Sequence, residues 1–203
     1  MNLKTFSSHF ITVDFCHHLS DHMSATSYEV FRIPIPPSKA DIMSYSQIRL
    51  LGLKTNPEAF GSKFEVESLR TFAEWKARVE NEDRFTIIAR ATPPNGGDGD
   101  CVGTASILTP AMVEQGPDVY GVVGMWVHPE HRMKGLGRRM LEFGIDWVRE
   151  RPRVKGGEAR RLVLEVHRPN EAAKALYGGL GFLEAKEEKC EDPNRIPMFL
   201  VVE

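Results

Sequence analysis

Residues 122–141 constrain the fold of this 203-residue chain more strongly than any other segment. The apolar run over residues 119–127 predicts a central strand, and the apolar spacing over residues 135–150 predicts an amphipathic helix. Between them lies the sequence R-x-x-G-x-G at residues 132–137. Glycines let the backbone adopt positive φ and approach a ligand closely, and the amides that begin a helix point toward bound anions. The unit therefore predicts a pyrophosphate-binding loop, with an ordinary basic turn as the alternative.

The loop differs from the common glycine motifs of nucleotide-binding proteins. It lacks the G-K-[ST] ending of a Walker A loop, and it is not the G-x-G-x-x-G of dinucleotide-binding domains. Positive charge is nonetheless concentrated around it, on Arg132, Lys134, Arg138 and Arg139. Outward-pointing amides flanked by such charge favour a phosphate-containing ligand.

The rest of the chain predicts a mixed α/β fold in a single domain with about seven strands and four helices. Strand-like segments alternate with segments of helical periodicity. The predicted strands are residues 28–33, 84–91, 100–108, 119–127, 162–167 and 198–202. The predicted helices are residues 38–53, with Ser38 as N-cap, then 68–79, 135–150 and 171–178. Residues 1–27 are predicted to be a peripheral N-terminal extension, with a short strand at 10–15 as one alternative, and residues 28–203 to be the domain.

Composition narrows the classes of function. A net charge of −2 provides no broad field for a polyanion, so the sequence predicts no nucleic-acid partner. No apolar run approaches the roughly 20 residues that span a bilayer, so no membrane association is expected. Cys16, Cys101 and Cys190 are odd in number and widely spaced, which favours reduced thiols and a cytoplasmic protein. His17, His18 and His22 lack completing ligands, so no metal is expected.

A second motif gives the loop its family context. Residues 170–182 read N-x-x-A-x-x-L-Y-x-x-x-G-F, downstream of a buried-type strand. Together with R-x-x-G-x-G, this stretch resembles the GNAT superfamily of acetyl-CoA-dependent N-acetyltransferases, and the resemblance covers most of the chain from Tyr28 onward. It implies a GNAT-like domain whose central, mostly antiparallel seven-stranded sheet is splayed between strands 4 and 5. It also implies acetyl-CoA as co-substrate.

The resemblance implies roles for individual residues. The strand backbone would bind the pantetheine arm like an added strand, through Met125, Trp126 and Val127. The loop would hold the pyrophosphate, through Arg132, Met133, Lys134, Gly135, Leu136, Gly137 and the Arg138 amide. Asn170 would contact the cofactor and Tyr177 would protonate the leaving thiolate. Read from the residues alone, Asn170 is also a good helix N-cap and Tyr177 a plausible core side chain.

The general base is where the sequence departs from many relatives. They place a glutamate early in the strand before the loop, whereas residues 120–123 contain no carboxylate. Glu165 and His167 are candidates because two-residue alternation puts both on one face of the next strand. His128 and a chain of waters are further alternatives. The acceptor site is expected between residues 38–79 and the loop before the last strand, where four aromatic residues line it or belong to the core: Phe60, Phe64, Phe72 and Trp75.

The sequence thus predicts an enzyme that moves the acetyl group of acetyl-CoA to a primary amine of a small molecule. Direct attack of the amine would be assisted by a tyrosine general acid. Two alternatives stay open, acetylation of protein or peptide N-termini and a non-catalytic acyl-CoA-binding sensor. The sequence allows a homodimer and does not name the acceptor.

Overall fold

The computed structural model describes residues 25–152, 159–187 and 190–203. The predictions for the N-terminal extension therefore lie almost wholly outside the described residues, including those for Cys16, His17, His18, His22 and a strand at 10–15. Cys101 and Cys190 are free thiols. None of the helices in the described ranges has the length and apolar character needed to span a bilayer.

Seven strands form one sheet, flanked by helices on both faces. The strands are β1 Ser27–Arg32, β2 Arg84–Thr92, β3 Asp100–Leu108, β4 Val119–Val127, β5 Arg160–His167, β6 Leu183–Glu184 and β7 Arg195–Val202. The α-helices are α1 Lys39–Thr55, α2 Phe64–Glu67, α3 Phe72–Glu80, α4 Pro110–Val113, α5 Leu136–Glu150 and α6 Glu171–Gly178. Two single 3₁₀ turns occupy Pro57–Ala59 and Pro129–His131.

The sheet has the order β1-β2-β3-β4-β5-β7-β6 and is antiparallel except between β4 and β5. Those two parallel strands pair only from Val119↔Arg161 to Gly121↔Val163. Beyond that point β4 continues to Val127 and β5 to His167 without pairing with each other, so the sheet opens into a wedge between them. The predicted mixed α/β fold with a splay between strands 4 and 5 is confirmed.

A bulge in β4 lies inside this wedge. Thr104 pairs with Trp126 and Ser106 with Val123, so Ala105 faces two residues of β4. One of them, Gly124, has φ of +66°, a conformation that glycine adopts at little cost. A bulge bends its strand locally, and this one lies where β4 has already parted from β5.

Two apolar clusters pack the sheet. On one face α5 buries Leu136, Met140 and Val148 of the predicted apolar stripe, together with Leu141 and Ile145. Two other residues of that stripe, Phe143 and Trp147, are only partly covered, and Phe143 is 38% exposed. On the other face α1 and α3 bury a second cluster that includes Tyr45, Trp75 and Trp126. The wedge between β4 and β5 opens in the sheet that separates these two layers.

The second predicted helix begins later than expected, and this prediction was wrong in its start. Ser68 ends α2, and α3 is capped by Thr71, whose side chain accepts from the Glu74 amide while Glu74 accepts from the Thr71 amide. This T-x-x-E capping box is a stronger start signal than a lone serine. The two-residue strand β6 was not predicted, because two residues carry no periodicity.

Candidate functional site

Two adjoining cavities open into the wedge between β4 and β5. The loop cavity, of about 710 Å³, is lined by the R-x-x-G-x-G loop, the end of β4 and the start of α6. The arginine cavity, of about 550 Å³, is lined by four arginines among other residues: Arg49, Arg78, Arg84 and Arg195. Both cavities are lined by Ala59, Met125, Glu165 and Tyr177. The place where they meet is therefore where a donor and an acceptor would come together.

The loop presents free backbone amides to the loop cavity. Met133 and Gly135 have φ of +59° and +74°, which turns the chain sharply into α5. No side chain caps this helix, and the first amide that bonds back within it is that of Arg139, to the Gly135 carbonyl at 3.0 Å. The preceding amides, of residues 136–138, lie at the helix start beside the cavity. The arrangement suits an anion, as the sequence predicted.

The second glycine of the motif provides space rather than an unusual conformation. A Cβ at Gly137 would approach Leu176 Cδ2 to 3.0 Å and Met125 Cε to 3.1 Å. The absent side chain thus lets α5 pack closely against α6 and β4. Arg138 reinforces this contact by donating to the Gly179 carbonyl at 2.9 Å.

The basic side chains of the loop brace its shape. Arg132 donates through Nε to the Val127 carbonyl at 3.0 Å and through a terminal nitrogen to Asn56 Oδ1 at 2.8 Å. Lys134 Nζ donates to the Tyr28 hydroxyl at 2.8 Å. These residues keep positive charge at the loop while their hydrogen bonds are directed at the protein. The backbone amides are therefore the groups best placed to bind a ligand anion.

The edge of β4 that faces the wedge has no strand partner beyond Gly121. The His128 amide donates to the Val102 carbonyl at 2.8 Å, so the backbone groups of Val127 point to the opposite edge. Met125 lies in the bulge opposite Ala105, beyond the last pair with β5, and lines both cavities. Trp126 is buried in the other layer, and its Nε1 donates to Asn56 Oδ1 at 3.0 Å. An extended ligand could lie along Met125 and Val127 as the predicted added strand.

Tyr177 is buried at the junction of the cavities. It lies on α6, is 7% exposed and packs against Phe182 with ring centroids 5.7 Å apart. Its hydroxyl has no hydrogen-bond partner among the described residues, although it lines both cavities. Burial raises the pKa of Tyr177 to about 12. The phenol is therefore protonated at neutral pH and can act as a donor.

Glu165 and His167 both face the wedge. Glu165 lines both cavities, whereas His167 lines the loop cavity. Burial, together with a hydrogen bond to Glu165 and the charge of that carboxylate, raises the pKa of the neighbouring Cys190 thiol to about 11. Both candidates for the base thus line a cavity, although Glu165 is also exposed, and their role stays a prediction. Of the two residues, Glu165 is the better placed to meet an acceptor.

Asn170 serves the helix as the residue-based interpretation predicted. Its side-chain oxygen accepts from the Ala173 amide at 3.1 Å, which caps α6. The side chain also lines the loop cavity, so the cap and a ligand contact are compatible.

A buried charge cluster in the wall of the arginine cavity was not predicted. Arg49 binds Glu67 through two hydrogen bonds of 3.0 and 2.7 Å, and Arg78 lies 3.9 Å from the same carboxylate. Burial would raise the pKa of Glu67, but its hydrogen bond to Arg49 and the charges of Arg49 and Arg78 lower it to about 2. Arg84, which is 8% exposed, completes the group. Charged residues in a helical segment are usually solvated, so the sequence carried no signal of this cluster.

Of the four aromatic residues considered for the acceptor site, only Phe60 lines the arginine cavity. The Arg49 guanidinium lies 4.7 Å from the Phe60 ring centroid. Trp75 belongs to the core beside Tyr45. Phe64 and Phe72 line neither cavity.

In the described part of the chain, metal-capable side chains gather at one place, His128, Glu130 and His131. Their ligand atoms lie within 4.8 Å of one another. His128 Nδ1 accepts from the Glu130 amide at 3.3 Å, and His131 Nδ1 lies 3.1 Å from the Tyr28 hydroxyl. These bonds stabilise the turn before the loop, and the absence of a metal stays a prediction.

Comparison with known proteins identifies the relatives of this arrangement. The model of the family described as "Acetyltransferase (GNAT) family" matches residues 53–182, more than half of the chain. A search of curated protein sequences finds no significant match.

Solved structures share the fold at low sequence identity. A GNAT-family acetyltransferase from Streptococcus pneumoniae has a TM-score of 0.62 at 17% identity, covering 87% of this chain and 100% of its own. The ribosomal-protein-S18-alanine N-acetyltransferase from Escherichia coli has a TM-score of 0.54 at 21% identity, with coverages of 87% and 94%. The protein yncA from Salmonella typhimurium, solved with its cofactor acetyl-CoA, has a TM-score of 0.57 at 19% identity, with coverages of 89% and 95%.

Proposed function

Because this chain belongs to the acetyltransferase (GNAT) family of acyl-CoA-dependent enzymes, we propose that it transfers the acetyl group of acetyl-CoA to a primary amine of a small molecule. Acetyl-CoA binding is typical of the family, and the solved relative from Salmonella typhimurium holds it. One observation carries the proposal for this chain. Tyr177 and Glu165, a proton donor and a proton acceptor, line both cavities where these meet.

The loop cavity fits the parts of acetyl-CoA. The pyrophosphate would bind the free amides of residues 136–138 at the start of α5. The pantetheine arm would pair with the open edge of β4 at Met125 and Val127. Asn170 would contact this arm from the start of α6. These assignments direct the thioester toward Tyr177.

Acetyl-CoA supplies an activated carbonyl carbon, and the residues of this chain manage the protons. A neutral amine forms the C–N bond as the C–S bond breaks, and the proton that the amine loses balances the one that the thiolate gains. Glu165 is placed to accept the former and the Tyr177 hydroxyl to donate the latter. At a pKa of about 12, Tyr177 is a weaker acid than an alkyl thiol near ~8.5. Proton transfer from Tyr177 to the thiolate is therefore unfavourable by itself, and it is completed when the proton that Glu165 took from the amine is passed on to the phenolate.

The demand on the base depends on the acceptor. An alkylamine with a pKa near ~10.4 requires about 4.6 kcal/mol to become neutral at pH 7. An α-amino group near ~8 requires only about 1.4 kcal/mol. A peptide-type α-amino group therefore demands less of Glu165 than an alkylamine does, so the rate with each acceptor should depend on the pKa of its amine.

A thiol-release assay over amines, amino acids, polyamines and short peptides tests the proposal. Thiol release with small amines and not with peptides is the expected result. Preferential turnover of peptides would instead support the alternative of N-terminal acetylation; the Escherichia coli relative is named for a protein substrate, as a ribosomal-protein-S18-alanine N-acetyltransferase. Acetyl-CoA binding without turnover of any acceptor would support the sensor alternative.

A further inference from the structure

The four arginines of the arginine cavity differ in how their charges are balanced. Arg49 and Arg78 share the carboxylate of Glu67. Arg195 lies 3.5 Å from a carboxylate oxygen of Asp192. Arg84 has neither an ion pair nor a side-chain hydrogen bond within the described residues.

Arg84 is therefore a cation without a counterion at the wall of a cavity. It is 8% exposed, and burial, with the charges of Arg78 and Arg49, lowers its pKa to about 10. The cluster of Arg49, Arg78 and Arg84 contains three cations and one carboxylate, Glu67. A buried excess of positive charge is unfavourable unless an anion accompanies it.

A second unpartnered donor points to the same place. Arg49 is 4% exposed, and its other terminal nitrogen, Nη1, is buried without a hydrogen-bond partner in the described chain. This nitrogen lies 3.3 Å from the position that a Cβ on Gly124 would occupy. Gly124 itself lines the arginine cavity and precedes Met125, which lines both cavities, so the unpartnered donor lies beside the wall of the arginine cavity.

We propose that the acceptor amine carries a carboxylate, which binds the guanidinium groups of Arg84 and Arg49. This inference rests on the proposed function. Guanidinium forks match the planar carboxylate and form charge-assisted hydrogen bonds with it. The amine of such an acceptor lies toward Glu165 and Tyr177. A peptide N-terminus has its α-carboxylate converted to an amide, so this site selects free amino acids or similar zwitterions.

Matched acceptors test the charge requirement with the wild-type protein. The probes are α-, β- and γ-amino acids, each compared with its amide and with the amine that lacks the carboxylate, in a thiol-release assay with acetyl-CoA. We expect kcat/KM to be about 10- to 100-fold higher for the acid than for its amide. Equal rates for acid, amide and plain amine would overturn the carboxylate assignment while leaving the proposed function intact.

The variant Arg84→Met removes the charge at similar length, and Arg84→Lys retains it. Arg84→Met should lose the preference for the acid, mainly through KM. Its melting temperature should match or exceed that of the wild type, because no native ion pair is lost. The exposed arginine variant Arg149→Met is the control and should retain the preference. A preference that survives in Arg84→Met refutes the assignment.

Binding separates failure of this inference from failure of the proposed function. If no amine is acetylated, the same probes are titrated calorimetrically into the protein saturated with CoA. Binding of acids and not amides, lost in Arg84→Met, would support the carboxylate site although the proposed function had failed. Equal binding of acids and amides, or no binding, would overturn it. Turnover of peptides in preference to every amino acid would do the same.

Discussion

Replacing Tyr177 with phenylalanine removes one oxygen atom from the junction of the two cavities. The hydroxyl has no hydrogen-bond partner in the described residues, so its loss leaves no protein group unsatisfied. The ring contact with Phe182 is retained. The free energy of unfolding should therefore change by no more than about 0.5 kcal/mol. Any effect on the rate would then report on chemistry rather than on folding.

The expected effect is on turnover. A positioned general acid contributes about 10²- to 10⁴-fold, so kcat should fall at least about 100-fold, or about 2.7 kcal/mol. The Kd of acetyl-CoA, measured by calorimetry, should remain within about threefold, because loop amides and the β4 edge hold the cofactor in our proposal. Since the pKa of Tyr177 is about 12, ionisation of this phenol should not reduce the wild-type rate below about pH 10.

A matched control is available on β4. Tyr120 is buried to a similar extent, packs edge-on against Trp147 and lines neither cavity. Tyr120→Phe should retain kcat. Full activity of Tyr177→Phe, or an equal loss in both variants, would refute the role given to Tyr177.

Three further predictions concern the cofactor, the base and the charge cluster. Gly135→Asp should weaken acetyl-CoA binding about 10- to 100-fold relative to the isosteric, neutral Gly135→Asn, because both residues tolerate positive φ and only the carboxylate repels phosphates; equal calorimetric affinities would contradict the pyrophosphate site. Glu165→Gln should lower kcat/KM by about 100-fold and flatten its rise with pH, while His167→Gln keeps that rise; an unchanged profile in Glu165→Gln would transfer the role of base to His167 or water. Glu67 is the stronger acid in the folded protein, so its contribution to stability is present above about pH 4.5 and is lost as pH falls toward 2. The free energy of unfolding of Glu67→Gln should be about 3 kcal/mol lower than that of the wild type at pH 7, and it should lack the decrease between about pH 4.5 and 2. The exposed variant Glu65→Gln should show neither change. Equal stability of the two variants would contradict the role of the Arg49 pair.

The sequence predicted the elements whose signals are local. Hydrophobic periodicity located β4 and α5, and the glycine spacing located the turn between them. The sequence did not predict the arginine cavity, because the burial of Arg49 and Arg84 depends on contacts between α1, α2 and β2. Arg49 and Glu67 are 18 residues apart, and nothing in either segment signals the pairing. The pairing exists once α2 folds back over α1.

The bulge at Gly124 illustrates the same limit. Its register shift depends on which residues of β3 and β4 are paired, and neither strand alone indicates it. The length of α6 was predicted well because Asn170 is both a capping residue and part of a spaced motif. Short-range chemistry was thus predictable, and the charge balance of a pocket assembled from distant segments was not.

The meeting of the two cavities at a few shared residues has an evolutionary consequence. In our proposal the donor is recognised by the loop and the start of α5, whereas the arginine cavity is built largely from other segments, α1, α3 and β7 among them. Drift in those segments can recode the acceptor while the donor machinery is preserved. Exchanging Arg84 together with its neighbours would therefore change acceptor specificity and leave the donor-binding loop unaltered.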